Sequence, residues 1–214
     1  MPDVYSERAR DNILPLSQGK FFPAVFDEWR VTGQVKDHRD LVATCHLCEQ
    51  ERLRYHFEIA NRFTRRTMWV GSSCILRFGV AVYEGSRRLT GKAVERKLAS
   101  LIDQVRYDAC LAALRALVRA ERDTILENAL DYLKNHGSLT PKFAFVVLWR
   151  LKEQGIDHSP SFFKINLRRQ KYMRDMESMP ASRVRMIWPA LTAAQRKKAI
   201  RSSAESCVEG VLLG

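Results

Sequence analysis

Residues 45–74 read CHLCEQERLRYHFEIANRFTRRTMWVGSSC, and the spacing of cysteine and histidine in this stretch decides the predicted fold. Cys45 and Cys48 are separated by two residues on a predicted turn, so both thiolates can reach one ion at a Zn–S distance of ~2.3 Å. Cys74 lies at the start of a predicted helix, whose N-terminus favours the thiolate. His56 lies on the strand after the turn. These four residues predict a closed tetrahedral zinc site, which is structural because catalytic zinc keeps one position for water.

Other interpretations of this stretch stay open at the level of sequence. His46 and His38 are substitutes for His56 as the fourth ligand. His56 is alternatively a packed strand histidine that hydrogen-bonds to backbone, and the cysteines are alternatively buried free thiols. Cys110 and Cys207 have no histidine at ligand spacing, so we predict core or surface thiols at both positions.

Alternating apolar and polar residues predict the strands around the cysteines. Residues 29–36 and 53–59 alternate, and residues 67–70 make a third strand before a serine-capped helix. A two-cysteine turn, a hairpin and a ligand at the start of a helix together resemble a treble-clef zinc finger. Residues 29–80 are similar to small zinc modules in uncharacterised phage, plasmid and other bacterial proteins. The resemblance implies a fold, a structural Zn²⁺ and an origin in a phage or mobile element, although the usual treble clef has a second ligand pair.

The rest of the chain has a helical pattern, which predicts an α+β protein in two parts. We expect residues 1–88 to form an N-terminal helix and the zinc-binding β-rich module, and residues 89–214 to form a helical bundle. Thr140 followed by Pro141 predicts an N-cap and the first position of a helix. Residues 143–149 are apolar on all sides, which predicts the buried centre of the bundle.

The positive charge is concentrated in two stretches. The formal net charge is +12, residues 62–97 contain nine basic and two acidic side chains, and residues 164–201 contain eleven basic and two acidic ones. Such clustering predicts an anion-binding surface, with solvated helix faces as the alternative. The predicted nucleic-acid contacts are Arg62, Arg65, Arg66, Arg77, Arg87, Arg88, Lys164, Arg168 and Lys171.

Two further predictions concern the surroundings of these cations. A helix over residues 160–178 would dock an apolar stripe into the bundle and place Lys164, Arg168 and Lys171 on another stripe. Aromatic residues interleave with the arginines of the first stretch and would be able to stack on bases. Strand and helix aromatics are more often core, and we favour core positions for Phe63, Trp69 and Tyr83.

The sequence lacks the patterns of the common enzyme and membrane classes. His56-Phe57-Glu58 matches the H-x-E fragment of zinc deaminases, but in those enzymes the cysteine pair follows this fragment and here it precedes it. Neither a phosphate-binding glycine loop nor a G-x-S-x-G turn occurs. The longest apolar run, residues 143–149, is too short to span a bilayer, and residues 1–20 carry no secretory pattern. We therefore expect no enzymatic activity, no membrane association and a cytoplasmic location, where an odd count of five cysteines disfavours a disulfide framework.

Together these features predict a non-enzymatic, zinc-stabilised nucleic-acid-binding protein that contacts phosphates through its Arg and Lys patches. The alternative is a protein-interaction or inhibitor module whose cationic face binds an acidic protein partner. The sequence leaves the choice between DNA and RNA open.

Overall fold

The computed structural model describes residues 4–204 and has a mixed α and β architecture. The described residues contain a three-stranded antiparallel sheet, a two-stranded hairpin and eight α-helices. The chain divides into two compact units, Met1–Val105 and Arg106–Gly214. The division falls inside a long helix, whereas the boundary predicted at residues 88/89 lies before that helix begins.

Among the described residues, the first unit contains the five β-strands, two complete α-helices and the start of a third. Its elements are α1 (Val4–Ile13), β1 (Trp29–Asp37), β2 (Tyr55–Asn61), β3 (Thr67–Val70), α2 (Ser72–Phe78), β4 (Tyr83–Glu84), β5 (Arg87–Arg88) and the start of α3 (Lys92–Glu121). The sheet order is β1-β2-β3, and the register places His56 opposite Lys36 and Phe57 opposite Val70. The three predicted strands are confirmed because the apolar alternation buries one face of this sheet.

Gly71, rather than a serine, is the N-cap of α2, and no side chain caps this helix. A Cβ on Gly71 would lie 3.1 Å from Leu53 Cδ1, so a larger residue here would require the Leu53 side chain to shift. The prediction of a serine cap was therefore wrong, because close packing and a backbone hydrogen bond to sulfur decide the residue at this corner.

The second unit is built from helices. It contains the rest of α3 and then α4 (Thr124–His136), α5 (Pro141–Glu153), α6 (Gln170–Glu177), α7 (Ala181–Ile187) and α8 (Ala193–Ala204). The predicted cap of α5 is confirmed, since Thr140 accepts a hydrogen bond from the Phe143 N–H at 3.3 Å and Pro141 occupies the first turn. Residues 143–149 bury one stripe of this helix, while Phe143, Phe145 and Trp149 are half-buried rather than enclosed.

The predicted helix over residues 160–178 is wrong. A short 3₁₀-helix, Pro160–Phe162, is followed by an extended stretch, and α6 begins only at Gln170. Tertiary hydrogen bonds hold this stretch open: the Leu139 N–H donates to the Lys164 carbonyl and the Asn166 N–H donates to the Leu139 carbonyl, both at 2.8 Å. Lys164 and Arg168 consequently share no helix with Lys171.

Between residues 4 and 204, no helix combines the length and the apolar character needed to cross a bilayer.

Candidate metal centre and the arginine loop

The sulfurs of Cys45, Cys48 and Cys74 converge in the buried core of the first unit. Cys74 Sγ lies 3.7 Å from Cys45 Sγ and 3.1 Å from Cys48 Sγ, and all three sulfurs lie within 4.8 Å of one another. Four-coordinate zinc with Zn–S bonds of ~2.3 Å places its sulfurs roughly 3.7 Å apart. The three side chains are at most 4% exposed. The predicted convergence of three distant cysteines is confirmed, and the donor set suits a metal ion.

Backbone hydrogen bonds hold the two-cysteine turn against the end of the sheet. The Glu49 N–H donates to the Cys45 carbonyl and the Cys45 N–H donates to the Gln50 carbonyl, both at 2.9 Å. The Gly71 N–H donates to Cys45 Sγ at 3.4 Å, and the His46 N–H donates to the Trp69 carbonyl. The fold therefore preorganises a backbone N–H group as a hydrogen-bond donor to the Cys45 sulfur.

The three thiols differ in acidity. The hydrogen bond between the Cys45 and Cys74 sulfurs lowers the pKa of Cys45 to about 5, against the opposing effect of burial. The same hydrogen bond raises the pKa of Cys74, and burial raises that of Cys48. Cys45 is therefore the thiol of the cluster that ionises most readily. A divalent cation would allow the remaining thiols to ionise as well.

His56 does not join this group of close ligand atoms. Its side chain is 5% exposed, and its ring hydrogen-bonds to the backbone of Thr44, as in the alternative interpretation of a packed strand histidine. Burial lowers the pKa of His56, and neighbouring His38 and His46 lower it further. The role of His56 as fourth ligand stays a prediction.

The remaining cysteines lie elsewhere. Cys110 is buried in α3, and burial raises its pKa to about 12, so it remains a thiol. Cys207 lies outside the described residues.

Residues 62–66 connect β2 to β3, and we call this connection the arginine loop. Its five side chains are all exposed, including three arginines. Arg65 has φ +61°, in the left-handed region where glycine is preferred, and an arginine there costs of order 1 kcal/mol. The loop therefore presents its cations in a conformation that local preference alone would not select.

Asn61, 1% exposed, organises this loop from below. Its side-chain oxygen accepts the N–H groups of Phe63 at 2.8 Å and Thr64 at 3.0 Å, while its amide donates to Glu28 Oε2 at 2.8 Å. The main chain of Asn61 also bonds to Arg65 and Arg66, which closes the turn. The buried Asn61 side chain and its carboxylate partner therefore add to the main-chain bonds that fix the conformation of the loop.

Glu28 links this network to the segment that precedes β1. Its carboxylate also accepts the N–H groups of Gln18 at 2.9 Å and Gly19 at 2.6 Å. Burial opposes ionisation, but these bonds, the Asn61 amide and the charge of Arg62 together lower the pKa of Glu28. A Cβ on Gly19 would lie 2.7 Å from Glu28 Oε1, so a larger residue here would displace the carboxylate from its hydrogen bonds.

The nine predicted nucleic-acid contacts are all exposed, but the structure groups only some of them. The three in the arginine loop lie together. Arg87 and Arg88 pair with Glu84 at 3.4 Å and Asp27 at 3.5 Å, and Arg77 lies over the ring of Tyr5. The predicted cationic stripe of Lys164, Arg168 and Lys171 is absent from the described fold because the helix that would carry it does not form.

The aromatic residues near the arginines are more exposed than expected. Phe63 is 53% exposed at the tip of the arginine loop and Tyr83 is 41% exposed, so the core assignment was wrong for both. Trp69 is half-buried beneath the Lys36 ammonium, which lies 3.9 Å from the ring centroid. The sequence analysis also missed Asn61 and Glu28 as organisers of the loop. An asparagine at the end of a strand is a turn signal that indicates such a role.

No known family model, no curated protein and no solved structure matches this chain. The cysteine cluster and the arginine loop are the two features of the described residues that bear on function.

Proposed function

We propose that this protein is a non-enzymatic nucleic-acid-binding protein, with a treble-clef-like first unit that a structural zinc ion stabilises. Cys45, Cys48 and Cys74 would hold the ion, and a fourth ligand, for which the sequence predicts His56, would close the tetrahedral shell. The three buried sulfurs support this choice because thiolates are preferred ligands of structural zinc. Bound zinc would supply folding free energy to a sheet that has few strands.

The observation that carries the proposal is a loop with three exposed arginines whose main chain is hydrogen-bonded to the buried side chain of Asn61. Planar guanidinium groups match phosphate oxygens in pairs, and preorganisation reduces the conformational entropy lost on binding. Arg65 and Arg66 make no salt bridge to any acidic side chain that the structure describes, so their charge remains available to an anionic partner.

A groove beside the arginine loop extends the same surface. It has a volume of ≈ 620 Å³, and its lining includes Arg30, Arg62 and Tyr83. Asp27 and Glu28 also line it, so the groove combines positive and negative groups rather than a continuous cationic field. Phosphate contacts at the loop, with an exposed aromatic next to them, therefore describe the proposed interface better than the groove alone.

The test compares loop variants with a charge-matched control in fluorescence anisotropy. Labelled single- and double-stranded DNA and RNA of random sequence are titrated with the wild type, with the double variant Arg65→Gly and Arg66→Ala, and with Arg115→Ala and Arg119→Ala. The control arginines are exposed on α3 and remove the same charge. Glycine suits the left-handed backbone at residue 65, so the loop variant should keep or gain stability.

We expect the loop variant to bind at least about tenfold more weakly and the salt dependence of log K to flatten by up to about two units, one per lost phosphate contact. The control should change affinity much less. Absence of binding to every nucleic acid at low salt would overturn the proposal and leave an acidic protein as the favoured partner. Equal losses in both double variants would show that binding follows net charge and not the arginine loop.

A further inference from the structure

Two neighbouring histidines carry buried nitrogens without partners. Among the residues that the structure describes, the buried side-chain N and O atoms that make no hydrogen bond are His38 Nε2 and His56 Nε2. The two ring centroids are 5.0 Å apart, and the ring planes make an angle of 78°. Buried polar atoms are almost always satisfied, so an adjacent pair of unsatisfied imidazole nitrogens indicates a ligand between or beside them.

The hydrogen bond of His56 leaves the correct nitrogen available for a metal. The ring donates to the backbone of Thr44, and because Nε2 has no partner, the donor is Nδ1. The lone pair of the neutral ring then lies on Nε2. Metal-binding histidines in proteins characteristically donate their other N–H to a carbonyl or carboxylate in this way.

The spacing of the two rings also suits a shared ion. Two imidazoles that bind one tetrahedral ion at ~2.0 Å through Nε2 have ring centroids roughly 5 Å apart. The observed separation is 5.0 Å. We propose that His38 and His56 form a second metal site, selective for a borderline divalent ion such as Zn²⁺, with water in the remaining positions.

The fold holds both ligands in place. His56 belongs to β2, and His38 follows β1 directly, where its N–H donates to the Arg54 carbonyl at 2.6 Å. This bond fixes the turn of His38 next to the start of β2. Lys36, opposite His56, brings a positive charge to the same face, but its ammonium lies over the ring of Trp69.

The proposed site is separate from the cysteine cluster. Side chains alternate along a strand, so His56 lies on the opposite face of β2 from Phe57, which packs in the same core as the three cysteines. His46 lies near, with its ring centroid 5.8 Å from that of His56. Its Nδ1 accepts the Trp69 N–H at 3.5 Å, so the proton of the neutral ring is on Nε2 and no lone pair remains for an ion.

The experiment measures zinc stoichiometry in the full chain, purified without a histidine tag. Zinc retained after dialysis is determined by mass spectrometry, and further Zn²⁺ is added by calorimetric titration. The variants are His38→Asn and His56→Asn, with His46→Asn as the matched control. Asparagine at residue 56 can still donate to Thr44 and lacks the distal nitrogen, and circular dichroism confirms that each variant folds.

We expect the wild type and His46→Asn to bind two zinc ions per chain, and His38→Asn and His56→Asn to bind one. X-ray absorption at the zinc edge should show imidazole scattering in the wild type and lose it in both site variants. A single zinc ion in the wild type, after the titration with Zn²⁺, would overturn the proposal of a second site. Loss of the tightly held ion in His56→Asn alone would also overturn it and make His56 the fourth ligand of the cysteine cluster. If His56→Asn fails to fold, the comparison of His38→Asn with His46→Asn decides the question.

Discussion

Replacing Asn61 with alanine should destabilise the first unit and weaken nucleic-acid binding, although the change removes no positive charge. The side chain is 1% exposed and makes three hydrogen bonds, two from loop N–H groups and one to the Glu28 carboxylate. Without them, the N–H groups of Phe63 and Thr64, which precede Arg65 in the turn, lose their acceptor. We expect the loop to relax into an ensemble of conformations, which raises the entropic cost of binding.

The expected loss of stability follows from the bonds that disappear. Each neutral hydrogen bond contributes about 1 kcal/mol and one to a charged group about 1.5–3 kcal/mol. The loop N–H groups and the Glu28 carboxylate remain close to water, which reduces the penalty for leaving them unpaired. We therefore expect the free energy of unfolding to fall by about 3.5 kcal/mol, the low end of that sum.

Urea unfolding measures the stability, and hydrogen exchange followed by mass spectrometry reports on residues 62–66. Asn166→Ala is the matched control, because its side chain accepts one hydrogen bond, from the Arg168 N–H at 3.0 Å, in the other unit. The control should lose about 1 kcal/mol and leave the exchange of the loop unchanged. If Asn61→Ala costs less than about 1 kcal/mol and the loop amides exchange as in the wild type, Asn61 does not organise the loop.

Three other expectations concern the metal, the carboxylate and the helical core. Cys74→Ser should abolish zinc retention and unfold the first unit, whereas Cys110→Ser should keep the metal. Zinc content and circular dichroism measure both effects. A fully folded Cys74→Ser protein would contradict this expectation. The folded-state pKa of Glu28 is lowered from 4.5, so its contribution to stability is complete above that value and is lost as the pH falls below it. Urea midpoints between about pH 6 and about pH 3 should therefore fall more steeply in the wild type than in Glu28→Gln, and parallel curves would argue against a role for this carboxylate. Leu114→Ala removes a fully buried side chain and should lower the free energy of unfolding by about 2–5 kcal/mol. Ile125 is 51% exposed, so Ile125→Ala should lower it by about 0.5 kcal/mol or less. Similar urea midpoints for the two variants would contradict this difference.

Much of the first unit could be predicted because its signals are local. Alternation identified residues 67–70 as a strand with the bounds that the structure has, and the two-residue spacing of Cys45 and Cys48 identified the turn. Thr140 and Pro141 marked the start of α5 for the same reason, since a cap and its proline act within one turn.

Elements that depend on distant partners could not be predicted in this way. The extended stretch around Ile165 has a helical apolar pattern. It stays extended because Ile165 forms a β-bridge with Leu139 and because the Gln195 side chain donates to the Ile165 carbonyl at 2.6 Å. The exposure of Phe63 likewise follows from the network beneath the loop and not from its neighbours in sequence.

The sequence by itself determined the inventory of this protein: the cysteines that can share an ion, the strands and helices that carry them, and the concentration of arginine between residues 62 and 97. These depend on residue type and on spacing within a few residues, where chain geometry is nearly constant. The tertiary structure alone decided that Asn61 and Glu28 meet beneath the arginine loop, and that His38 lies next to His56. Such pairings depend on how separate segments pack, and the free-energy differences that select one packing are spread over the whole core.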